Sequence, residues 1–86
     1  MTAHADPAAG GWVCKVAVEA TEHTVTVSAA DLERWGEGPE QRDVEDLVIR
    51  SFHFLLEQEP PGAILKRFEL SVIPRYFPEY DRVFRK

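Results

Sequence analysis

The side chains able to do chemistry are few and scattered. The chain has three histidines, His4, His23 and His53, and one cysteine, Cys14. Metal ligation needs several such groups at one point. Of the histidines only His53 has a carboxylate at helical spacing, Glu57 four residues on, which is half a site and reads as a solvated pair. A single cysteine makes neither an intrachain disulfide nor a multi-thiolate zinc site. Cys14 also lies in phase with Trp12 and Val16, where a thiol behaves as a small hydrophobe with no sequence-local base to activate it. Gly36-Glu37-Gly38 runs into Pro39 and lacks the Lys-Ser/Thr pair of a phosphate-cradling loop. Glu40, Asp43, Glu45 and Asp46 crowd the start of a helix, where they favour its dipole, and no separately placed partner completes an acid/base pair. The expectation is therefore no catalytic residue, no metal, no cofactor and no enzymatic activity.

Binding chemistry is better represented. The formal net charge is −5, divided unevenly: residues 1–61 hold four basic and twelve acidic residues, and 62–86 hold six basic and three acidic. An acidic body with a basic tail suits attraction between the two within a chain or dimer, or a nucleic-acid contact at the tail, although net acidity opposes phosphate binding. In the tail, cations and aromatics interleave through Arg75-Tyr76-Phe77 and Tyr80-Asp81-Arg82-Val83-Phe84-Arg85, a pattern that can stack bases or close a thin core or dimer contact. Ile64 to Phe77 resembles a helix-turn-helix, with Ser71 capping the second helix and Arg67, Arg75 and Arg82 on phosphates. Against this, Glu69 stands near the usual turn glycine and Pro78 cuts the second helix short; the plainer reading makes Leu65, Phe68, Leu70, Ile73, Phe77 and Phe84 core.

Positioning these residues requires a fold, and 86 residues allow one small domain with a thin core that a homodimer would extend. Residues 1–11 lack an apolar period and read as a disordered leader, leaving 12–86 as a single α+β domain. Alternation from Trp12 to Val18 and from His23 to Ser28 predicts two strands in an antiparallel hairpin. For their valines to share a face, paired residue numbers must sum to an odd value, so the loop has two or four residues; without Gly or Asn in the turn, the longer is favoured. Ser28-Ala29-Ala30-Asp31 reads as a capping box opening a short helix that stops at Gly36. The longest helix follows over 40–58, with an apolar arc from Phe54 through Val44 to Ile49 that exceeds half the circumference. Such an arc needs a second surface besides the hairpin, either the C-terminal segment or a dimer mate. Pro60 and Pro61 end the helix; 63–68 reads as one or two helical turns and 72–77 as a short helix, with a strand at 69–73 as the alternative.

Val44 to Val48, Ser51 to Pro60, Ile64 to Ile73 and Tyr76-Phe77-Pro78-Glu79-Tyr80 together look like a family of small uncharacterised bacterial proteins. That resemblance implies an independent small domain and brings no activity. A hairpin followed by a helix is also loosely similar in architecture to the HicB class of antitoxins, which does not establish function. The reading is a β-hairpin packed on one long helix, with short helices or turns at the C-terminus. Its function is that of a non-enzymatic interaction module whose partner is another protein or a second copy. Trp35, Tyr76, Phe77 and Tyr80 are the candidate anchors, with Arg75 and Arg82 setting orientation. The alternative is a nucleic-acid-binding regulator using 64–86. No apolar run reaches the roughly 20 residues of a membrane span, and the start lacks a signal peptide's pattern, so a cytoplasmic location is expected.

Overall fold

The computed structural model describes residues 1–85. One sheet has the order β1-β2-β3-β4. Strands β1 (Thr2–Ala8), β2 (Gly11–Val18) and β3 (Thr21–Ser28) form an antiparallel meander, and β4 (Arg67–Glu69) lies parallel to β3. Between β3 and β4 run α1 (Ala29–Trp35), α2 (Gln41–Gln58) and a 3₁₀ turn at Pro61–Ala63. A second 3₁₀ turn, Leu70–Val72, then leads into α3 (Ile73–Tyr76) and α4 (Glu79–Phe84). The class is α+β, as expected, with a larger sheet than a hairpin.

The β2–β3 register pairs Trp12 with Val27, Cys14 with Val25, Val16 with His23 and Val18 with Thr21, the odd sum that a shared apolar face demands. The loop is the shorter of the two expected. Glu19 and Ala20 alone make the turn, with Glu19 at φ 20°, a conformation glycine would adopt at less cost. Residues 2–8 are not a disordered leader. They form β1, whose inward residues Ala3 and Ala5 are too small to register as an apolar period. Its stability is tertiary: the Ala5 amide donates to Glu45 Oε2 at 2.9 Å, and Gln41 Nε2 donates to the Ala5 carbonyl at 3.0 Å. Two α2 side chains thus close the middle of the sheet's outer edge, where an unpaired strand would otherwise accept another.

The capping box at α1 is formed, with the Asp31 amide donating to Ser28 Oγ at 3.0 Å and the Ser28 amide to Asp31 Oδ2 at 3.3 Å. Helix α2 buries Val44, Leu47, Val48, Phe52, Phe54 and Leu55, while His53, Asp46 and Glu57 face solvent. The second surface that its wide arc required is the C-terminal segment: the Phe54 ring meets Phe77 at 6.1 Å, Tyr80 at 5.5 Å and Phe84 at 6.1 Å. Ile64 to Phe68 is not helical, because Phe68 is drawn into β4 opposite Val25. With Leu70–Val72 a 3₁₀ turn and α3 only four residues long, a helix-turn-helix is absent from the described residues. No described helix is long and apolar enough to cross a membrane.

Candidate functional site

The six residues singled out as partner contacts separate into core and surface. Trp35 and Tyr80 are 2% and 0% exposed and are therefore core side chains, not surface anchors. Their polar atoms explain how they are buried. Trp35 Nε1 donates to Asp81 Oδ1 at 2.9 Å. Ser51 Oγ donates to the Leu47 carbonyl at 2.7 Å, so the Tyr80 hydroxyl, also at 2.7 Å, must be the donor to Ser51. Their rings meet edge to face at 5.2 Å, and Tyr80 stacks on Phe84 at 4.2 Å. Burial pushes the Tyr80 phenol well above its ordinary range. Asp81 moves the other way. The Trp35 hydrogen bond, helped by the Arg85 guanidinium, holds its carboxyl below the ordinary value despite partial desolvation.

Arg75, Tyr76 and Arg82 are exposed, and Phe77 is half-buried against the core. Expected attraction between basic tail and acidic body is not made by ion pairs among the described residues; the tail's pair is local, Arg85 to Asp81 at 2.8 Å. Contacts of other kinds join the two, among them the Trp35 to Asp81 and Tyr80 to Ser51 hydrogen bonds and Arg50 set 5.4 Å over the Phe84 ring.

Tyr76 and Phe77 belong to an open apolar groove of about 220 Å³ where the end of α2, the 64–68 segment and α3 meet. Leu55, Ile64, Phe68 and Ile73 line it from the core, each less than a tenth exposed. Tyr76 and Leu65 stand at its rim, 70% and 53% exposed, and Glu59 lines the α2 end. Leu65, expected in the core, is thus outside it, because Ile64 leaves the 3₁₀ turn in extended backbone with its own side chain buried, which turns its neighbour Leu65 outward. The rim is anchored from β3. His23, 3% exposed, donates from Nδ1 to the Leu65 carbonyl at 2.7 Å, since that oxygen can only accept. Its Nε2 is hydrogen-bonded to the Thr21 hydroxyl at 2.9 Å, and its ring lies 5.2 Å from Phe52. This positioning role is invisible in the sequence, because the partner is a main-chain oxygen 42 residues away.

Cys14 is fully buried in β2, and burial together with the Glu45 carboxylate pushes its thiol from 9.0 up to about 12. No group of three or more His, Cys, Asp or Glu among the described residues is arranged to hold a metal ion. No family model matches the chain, and no curated protein or solved structure shows significant similarity to it.

Proposed function

We propose that this protein is a non-enzymatic interaction module that self-associates through the apolar groove. One observation carries the reading: Leu65 and Tyr76, the former 53% and the latter 70% exposed, flank one apolar recess rather than lying scattered over the surface. A two-fold contact requires a patch that is its own complement, with a projection on each copy entering a recess on the other. Tyr76 supplies a projection beside a recess. Its rigid, amphipathic ring is of the type that dominates interface energetics. The rim charges support the same pairing. Glu59, at the C-cap of α2, lines the groove, and Arg75 precedes the rim residue Tyr76 on α3; neither is ion-paired within the described residues. Across a two-fold axis each would meet its opposite and set orientation.

Light scattering and sedimentation across a concentration series test this. The expected result is a concentration-dependent dimer that Tyr76→Ala and Leu65→Ala shift to monomer without altering thermal unfolding. Phe77→Ala should lower stability instead, because its ring packs on Phe54. Glu59→Arg or Arg75→Glu alone should weaken the dimer, and the two combined should restore it. A wild type that stays monomeric throughout would sink the reading. The alternative role, nucleic-acid binding by 64–86, keeps one support: Arg75 and Arg82 are exposed and unpaired among the described residues. It requires affinity that falls steeply with salt and is lost in Arg75→Ala.

A further inference from the structure

The helices cover one face of the sheet, and the other face is open. On that open face the register sets Lys15, Thr24 and Arg67 side by side on β2, β3 and β4, with His4 beyond Lys15 on β1. Neighbouring strands are about 4.8 Å apart, so the lysine and the arginine stand roughly 10 Å apart on either side of Thr24. Both side chains are long enough to lean inward over the short hydroxyl between them. Lys66 adjoins Arg67, its carbonyl accepting from the Thr24 amide at 2.7 Å, which fixes the start of β4 beside Thr24. All these residues line one shallow concavity of about 580 Å³, which holds three cations against the single carboxylate of Glu22. None of the three cations is ion-paired among the described residues. In a chain of net charge −5, this is a local reversal of sign.

We propose that this concavity binds a single phosphate group, seated over Thr24 between Lys15 and Arg67. The guanidinium offers a planar fork to two phosphate oxygens, the ammonium a third charge-assisted contact, and the threonine hydroxyl a neutral donor beneath. His4 takes no part, since its Nε2 is 3.2 Å from Asp6 Oδ1. The surroundings favour one phosphate over a strand of them. Along the strands, the same-face rows on either side lie about 7 Å away. One carries Glu22 and the other carries Asp6 and Glu69, so the next phosphate of a phosphodiester chain would meet a carboxylate. The outward residues of β2, β3 and β4 include no Phe, Tyr or Trp on which a base could stack. The ligand class is therefore free phosphate or a small molecule with a terminal phosphate, a site independent of the groove.

Inorganic phosphate titrated into the labelled protein, followed by amide chemical shifts, reads this directly. Shifts should concentrate at Lys15, Thr24 and Arg67, saturate, and vanish in Lys15→Ala/Arg67→Ala, whose unperturbed spectrum elsewhere would show that it folds. Arg75→Ala/Arg82→Ala should leave them unchanged, although it removes the same amount of charge. Glu22→Gln should tighten binding by about 1.5- to 5-fold, the effect of one exposed charge nearby. Shifts spread over every exposed cation, or none that saturate, would overturn the site. A single-stranded oligonucleotide that binds the same residues more tightly than a phosphorylated sugar would overturn its restriction to one phosphate.

Discussion

At the scale of single side chains, Asp81 and His23 do work that their types alone do not announce. Asp81 ties the last helix to α1 through Trp35, and its carboxyl is held below the ordinary value of 3.8 chiefly by that bond. The folded chain therefore keeps this charge to lower pH than the unfolded chain does. The contribution to stability is complete above the unfolded value and is lost as pH falls through the depressed one. Asp81→Asn keeps an oxygen to accept from Trp35 but removes the charge. In urea unfolding the variant should be less stable than the wild type at neutral pH, and the gap should close in strong acid. His23→Ala removes a buried donor to Leu65 and leaves a cavity beside Phe52. An expected loss of about 2–4 kcal/mol follows from an unpaired carbonyl plus lost packing, and hydrogen exchange should quicken first around Leu65.

At the scale of elements, Gly11 shows how closely two strands can be forced together. It lies opposite Ser28 at the mouth of the β2–β3 pair, and a methyl group there would stand 2.2 Å from the Val27 carbonyl oxygen and 2.8 Å from Ser28 Cα. Both atoms are main chain and cannot swing aside. Gly11→Ala should cost about 1–3 kcal/mol, measured by denaturant unfolding, whereas Gly62→Ala, with nothing within 4 Å, should be near neutral in the same assay. The β2 and β3 runs, the capped α1 and the wide-faced α2 were legible because periodicity and caps are local signals. Strands β1 and β4 were not. The first is held by Gln41 and Glu45 from a helix far along the chain, and the second is three residues long and exists because Val25 and Phe68 meet across 43 residues. For the same reason composition does not separate the exposed Tyr76 from the buried Trp35 and Tyr80. Both are large aromatics, and only the contacts to Asp81 and Ser51 show which way they point.

At the scale of the whole molecule, the core is one continuous cluster running from Ala5 in β1 to Phe84 in α4. Cys14 sits fully buried within it on a central strand, so its thiol reports on opening of the entire domain. With its ionisation pushed to about 12, alkylation by iodoacetamide at mildly alkaline pH should be negligible in the native state. Any residual rate should follow global unfolding and rise in parallel with the loss of stability in Gly11→Ala. A Cys14 that reacts faster than the slowest core amides exchange would show instead that β1 detaches alone.

The parallel seam between β3 and β4 also governs how the chain is made. β3 leaves the ribosome about forty residues ahead of the strand that completes it, with Thr24 and Arg67 at the two ends of that interval. At 5–20 residues per second, the meander waits roughly 2–8 s with the outer edge of β3 bare and its apolar face without Phe68. An unfinished sheet of this kind is exposed to aggregation with its neighbours on a polysome. Slower translation across residues 29–66 should therefore lower the soluble yield of a protein whose finished sheet covers this stretch of β3 with β4.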